Sequence, residues 1–298
     1  RVTAAGLRPR ARARPRWVFP VFSSPALTQS TNLDVVDMRF ARNKTLRFGR
    51  QTRTGVAVFA TFFGASLGAA IADSAPCARV SHAGRAYTVC TAEAGRDSIR
   101  LFWKDDFGKA HGGFNGVSQA LAKRGEKLAF AMNAGMYQKD LSPVGLYVEG
   151  GRELHKANTR PGPGNFHMKP NGVFYVGAHG AGVMETAQYL KARPAADYAT
   201  QSGPMLVIDG KIHPKIRATG ESEKVRNGVG VAGAKIVFAI SEDAVTFHEF
   251  ASLFRDKYAC RNALFLDGSI SSLYAPNLGR SDWLMPMGPI VGVVAKAK

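Results

Sequence analysis

Five short clusters along the 298-residue chain combine amides, hydroxyls and a few charges with glycine or proline, the clearest of them directly after an apolar run. They are Asn133-Ala134-Gly135-Met136-Tyr137, Lys169-Pro170-Asn171-Gly172, Gln201-Ser202-Gly203-Pro204, Arg226-Asn227-Gly228-Val229-Gly230 and Asp267-Gly268-Ser269-Ile270-Ser271-Ser272. Polar side chains at strand ends, with glycines that let the backbone approach a ligand, are a common way for a sheet rim to present a site. Taken singly the signal is weak, because Asn-Gly and Asp-Gly also form ordinary turns. Asp267 has the strongest claim to chemistry: it ends the apolar run NALFL, where partial loss of water suits a carboxylate to act as general base or nucleophile.

The clusters sit inside five longer segments: FAMNAGMY (130–137), SPVGLYVE (142–149), GPGNFHMKPNGVF (162–174), ATQSGPMLVIDG (199–210) and NALFLDGSISSLYAP (262–276). In this order the set resembles the phosphodiester glycosidase family, from about Cys77 to Val294. The resemblance implies hydrolysis of a glycosidic bond whose leaving group is a phosphate ester. An ordinary glycosidase protonates a basic leaving oxygen with a second carboxylic acid, whereas a phosphate ester departs as a stabilised anion without that help. One carboxylate and one cation therefore suffice.

On this reading Asp267 is the catalytic carboxylate and Arg226 the phosphate clamp, its planar guanidinium offering paired donors to phosphate oxygens. Asn133, Asn171 and Gln201 are expected to hydrogen-bond sugar hydroxyls or an acetamido group, and Asn227 joins them as a binding residue. Ser202 and Ser269, with the N–H groups of the neighbouring Gly203 and Gly268, are expected to hold phosphate oxygens. Lys169 assists the anion or faces water, and Tyr137 or Tyr274 stacks on a sugar ring or belongs to the core. No zinc-ligand spacing is found, and neither a metal nor a cofactor is expected.

Two other matches fail on context. Gly64-Ala65-Ser66-Leu67-Gly68 has the spacing of a nucleophile elbow but lies in an apolar N-terminal run. Gly228 to Gly233 reads G-x-G-x-x-G, yet the strand-like KIVFAI follows where a dinucleotide fold requires a helix.

The elements that must position the clusters are mostly strands. β-rich runs bounded by turn residues occur at 85–90, 98–103, 127–132, 144–148, 172–176, 204–208, 235–240, 263–266 and 289–294. Asp209-Gly210 and Glu149-Gly150-Gly151 read as hairpin turns, which imply antiparallel neighbours. Helices are expected at 117–124, 186–193 and 246–258, the last opened by a Thr246/Glu249 capping box. Strands without regular β-α-β alternation point to the α+β class: one domain with a mainly antiparallel or mixed sheet flanked by a few helices.

That domain is expected over residues 73–298. Met38 opens a basic stretch, and GVAVFATFFGASLGAAIA (55–72) follows without a charge, so 38–72 reads as a secretory signal peptide and 1–37 as an extension outside the native protein. Of the 40 Lys/Arg and 22 Asp/Glu, 12 and 2 fall in residues 1–72, which lowers the formal charge from +18 to +8 for the rest. The remaining balance suits an acidic or phosphorylated substrate, with no nucleic-acid partner and no stable membrane span after cleavage. A periplasmic or secreted protein can form disulfides, and Cys77 and Cys90 bracket the first strand pair, leaving Cys260 as a small buried residue. Two other functions compete: a non-catalytic module binding anionic glycans, and an acyl hydrolase using Ser202 or Ser269, for which no paired histidine is evident.

Overall fold

The computed structural model describes residues 76–298 apart from Ser269, Leu284 and Lys298, so the expected signal peptide over 38–72, the extension expected before it and Ser269 lie outside the described residues. In chain order the elements are β1 (Cys77–His82), β2 (Arg85–Glu93), β3 (Ser98–Phe102), α1 (Phe114–Ala122), β4 (Glu126–Asn133), β5 (Tyr147–Glu149), β6 (Arg152–His155), β7 (Gly172–Gly177), β8 (Gly180–Glu185), α2 (Thr186–Ala192) and β9 (Tyr198–Ser202). They continue with β10 (Met205–Ile208), β11 (Lys211–Ile212), β12 (Asn227–Ala232), β13 (Lys235–Ser241), α3 (Phe247–Ser252), β14 (Asn262–Asp267), β15 (Leu273–Ala275), β16 (Arg280–Ser281) and β17 (Ile290–Lys296).

The α+β class holds, but the strands form three sheets rather than the one expected. Their orders are β1-β2-β13-β12-β14-β10-β11, β16-β15-β4-β17-β3 and β6-β5-β9-β7-β8. Every pair within them is antiparallel, so no mixed sheet occurs among the described residues. Twisted sheets of many strands split and pack on one another to bury their apolar faces. Here the faces meet at Phe238 of β13: Phe130 of β4 lies edge-on at 5.5 Å between ring centroids and Phe174 of β7 at 5.8 Å, so one ring touches all three sheets.

Local chemistry explains the individual elements. Asp209 and Gly210 both take positive φ (47° and 77°) in the β10–β11 hairpin, and Gly150-Gly151 does the same between β5 and β6. Thr246 and Glu249 close the capping box that starts α3. That helix continues as a π turn over Leu253–Lys257, which faces the consecutive side chains of Leu253 and Phe254 into the core. The glycine pattern 228–233 is strand β12 and its turn. A Cβ on Gly230 would stand 2.6 Å from Phe254 and 2.7 Å from Cys260, so the glycine is there to let α3 and the Cys260 segment close on the sheet. Cys77 and Cys90 face each other across β1 and β2 and are disulfide-bonded, and Cys260 is free and buried.

Candidate active site

β4, β9, β12 and β14 belong to three different sheets, and the ends that carry the sequence clusters come together at one rim. Asn227 opens β12 directly opposite Asp267, which closes β14. The Asn227 side chain accepts from the Asp267 N–H (2.8 Å) and donates to both the backbone and side-chain oxygens of Asn133 at the end of β4 (3.0 and 2.8 Å). Asn133 in turn accepts from the Ser272 N–H (3.0 Å) and donates to the Ile270 carbonyl (2.6 Å). Two fully buried asparagines thus join the first two sheets and fix both ends of the loop that follows Asp267. The third sheet is tied in by Ser202, whose hydroxyl donates to the Leu266 carbonyl (2.7 Å), and by Thr200, which donates to the Ala134 carbonyl (3.1 Å).

Such a network is stable only when complete, because each buried amide or hydroxyl has given up water. Asn227→Leu leaves the Asp267 N–H without its acceptor in the interior and takes away the bonds to the backbone and side-chain oxygens of Asn133. A loss of about 2–4 kcal/mol of stability is expected, read as a lower urea midpoint at unchanged m-value.

A cleft of about 450 Å³ opens on this rim. Asp267, Gly268 and Ile270 line it from the β14 loop, Met136, Tyr137 and Val144 from the segment after β4, Gly164 and Asn165 from the long strap before β7, and Lys224 and Arg226 from the segment entering β12. Asp267 is 7% exposed, with Oδ1 accepting from the Gly268 N–H (2.7 Å) and its carbonyl from the Ser271 hydroxyl (3.0 Å). The Tyr137 hydroxyl donates to the Pro286 carbonyl (2.7 Å), and burial reinforced by the Asp267 charge pushes its pKa up to about 12. It is a neutral donor throughout the physiological range.

Arg226 is the largest fully buried side chain. Its Nε donates to the Val245 carbonyl (2.9 Å) and an Nη to the Ser222 carbonyl (2.7 Å), while the guanidinium lies 3.7 Å over the Phe247 ring. Burial pulls its pKa down to about 10, and no carboxylate pulls it back. No ion pair to Arg226 or Lys224 is found among the described residues. A guanidinium carries five N–H groups; two donate to backbone carbonyls of the protein, and the residue also borders the cleft.

The residues read from sequence thus separate into two groups. Asp267, Gly268 and Arg226 line the cleft. Asn133, Asn227 and Ser202 are buried beneath it and bonded to the chain itself. Gln201 is spent on the strap: its Oε1 accepts from the Leu146 and Asn158 N–H groups and its Nε2 donates to the Asn158 carbonyl. Asn171 donates to the Phe166 carbonyl and accepts from the Thr186 hydroxyl. Gly203 allows this packing, since a Cβ there would fall 2.6 Å from the Asn171 Cβ and 2.9 Å from the Phe166 carbonyl. Lys169 is exposed and donates to the Thr159 carbonyl, outside the cleft lining. Sequence reasoning passed over Lys224. Period-2 alternation in an extended segment puts it on the side of Arg226, and its bridge to Val245 shows that extended course. Among the described residues no three His, Cys, Asp or Glu side chains gather in a metal-binding group.

A rim built from four strand ends, with one carboxylate and one buried cation lining a cleft, offers polar and charged groups to whatever enters it. The sequence model of the phosphodiester glycosidase family matches residues 126–283, which carry every one of these groups, and the chain belongs to that family. It is 35% identical over 191 residues to YigE, an uncharacterised protein of Escherichia coli K12, covering 64% of this chain and 73% of YigE. Its fold is similar to the catalytic domain of zebrafish N-acetylglucosamine-1-phosphodiester alpha-N-acetylglucosaminidase, solved in a form auto-inhibited by its pro-peptide, with a TM-score of 0.51 over 73% of this chain and 81% of that one at 14% identity.

Proposed function

We propose that the protein is an exported hydrolase that cleaves the glycosidic bond of a glycosyl-1-phosphodiester, releasing a free sugar and a phosphate monoester. The observation that carries this reading is Arg226, a buried cation without a carboxylate partner on the wall of the cleft that also holds Asp267. A buried charge is stable in such a place when a ligand supplies the opposite charge. Arg226, with Lys224 beside it on the chain, holds the phosphate. Asp267 activates water or attacks the anomeric carbon, and the phosphate leaves without a second acid. Tyr137 stays protonated near Asp267, available as a donor to a sugar hydroxyl once its bond to Pro286 is exchanged. Asn133 and Asn227 act through Asp267 by fixing its loop rather than by touching substrate.

Export is supported by the Cys77–Cys90 disulfide, a bond that persists in oxidising compartments. No helix among the described residues is long and apolar enough to cross a membrane.

Product analysis over a panel of glycosyl-1-phosphodiesters tests the activity. Free reducing sugar and a phosphate monoester in equal amounts are expected. Sugar-1-phosphate as product would show cleavage on the other side of the phosphorus, and tight binding with no turnover would make the protein a glycan-binding module.

A further inference from the structure

Beside the cleft lies a second cavity, about 180 Å³, whose lining includes Met168, Ile216, Phe247, Ser222, Lys215 and Arg217. The two spaces share a wall. Arg226 lines the first, and it donates to the Ser222 carbonyl and covers the Phe247 ring, both of which line the second. They also share both flanks: Gly164 and Asn165 border the cleft and Met168, a few residues on, borders the cavity, while the segment 215–226 runs along both. A phosphate held by Arg226 would therefore have the cavity within reach of one of its ester oxygens.

The cavity's floor is apolar, formed by Met168, Ile216 and Phe247. The stems of Lys215 and Arg217 extend it, and these two exposed cations make no ion pair among the described residues. A hydroxyl-rich group seated on this floor would lose its water without finding a hydrogen-bond partner in Met168, Ile216 or Phe247. An apolar group would lose nothing and would cover exposed Met, Ile and Phe surface.

We propose that this cavity seats the organic group on the departing phosphate, and that this group is apolar, an alkyl or aryl ester rather than a second sugar. The proposal rests on the glycosidase reading above. In the step it describes, a water oxygen forms the new bond to the anomeric carbon, either directly or, where Asp267 has attacked first, by breaking the ester bond between Asp267 and that carbon. The bond from that carbon to the phosphate oxygen breaks, the electron pair leaves with the phosphate monoester, and the water proton passes to Asp267.

The test compares the methyl and cyclohexylmethyl esters of N-acetylglucosamine 1-phosphate. Both leaving groups are alkyl phosphates of similar acidity, so the chemical step is matched and the difference reads the cavity. The cyclohexylmethyl ester is expected to show a KM about tenfold lower, the size of effect that burying a six-carbon ring permits. Ile216→Glu and, separately, Met168→Gln are expected to bring the KM ratio of the two esters close to one, with the methyl ester in each variant serving as the reference for a folded site. Equal KM values in the wild type, or a preference that survives both substitutions, overturns the proposal. If neither these esters nor any other glycosyl-1-phosphodiester of the panel is hydrolysed, the glycosidase reading has failed, and calorimetry with methyl phosphate and cyclohexylmethyl phosphate still decides the cavity: about tenfold tighter binding of the latter, lost in Ile216→Glu, supports it, and equal binding sinks it.

Discussion

Asp267→Asn is expected to lower kcat on a glycosyl-1-phosphodiester by about 10³-fold or more, with KM changed by no more than a few fold and the melting temperature held. The substitution is isosteric. Asparagine keeps an oxygen to accept the Gly268 N–H and leaves the backbone bonds to Asn227 and Ser271 intact, so the loop retains its shape. What disappears is the negative charge and basicity that take a proton from water or attack the anomeric carbon, an effect worth about 10²–10⁴-fold for a general base and more for a nucleophile. Activity within tenfold of wild type in a folded variant would remove Asp267 from the mechanism.

Arg226→Gln is expected to reduce kcat/KM by about 10²–10⁴-fold, because a buried cation facing an anion contributes about 3–5 kcal/mol when the pair is broken. A second measurement isolates the phosphate contact from catalysis. Burial lowers the folded-state pKa of Arg226 to about 10, well below the ordinary value of an arginine. Below about pH 10 both folded and unfolded chains carry the proton, and burying the charge without a partner weighs fully against folding. Above about pH 10, up to the ordinary pKa of an arginine, the folded chain gives up the proton first and that penalty fades. Inorganic phosphate at ten times its Kd should therefore stabilise the wild type at neutral pH by about 1.4 kcal/mol, a rise of roughly 3–5 °C in Tm. The rise should vanish in Arg226→Gln and shrink above pH 10. An equal rise in both proteins would place the anion elsewhere.

The motifs of this site were legible in the sequence, but the roles of half its residues were not. Asp267 could be picked out because a charge at the end of an apolar run is costly without a purpose, and Arg226 because a planar pair of donors matches the phosphate that the resemblance implies. Asn133, Asn227, Ser202, Asn171 and Gln201 look the same in a sequence whether they face a ligand or their own chain, and only the folded contacts show that they face the chain. The same ambiguity hid strand β9: Thr200, Gln201 and Ser202 lack the apolar alternation of a strand because their polar atoms bond to neighbouring segments. β12 was masked by glycines that exist for the close approach of Phe254 and Cys260. The run 144–148 was read as one strand, yet only Tyr147–Glu149 pairs, since Val144 turns aside to line the cleft. The hairpins at Gly150-Gly151 and Asp209-Gly210 and the capping box at Thr246 were readable because a single local conformation decides them. The division into three sheets depends on contacts between residues far apart in the chain, such as Phe130, Phe174 and Phe238, which no short window contains.

The bond between Asn133 and Asn227 spans 94 positions of sequence and links two sheets directly under Asp267. Neither sheet alone can orient that carboxylate, and the Ser202 bond to Leu266 makes the third sheet a party to the same arrangement. On the proposed function, catalytic competence would switch on with the final assembly of the molecule rather than with any one piece of it. A chain still emerging or half assembled would be inert toward sugar phosphates, and turnover could serve as a sensitive gauge of how much of a preparation has reached the native state.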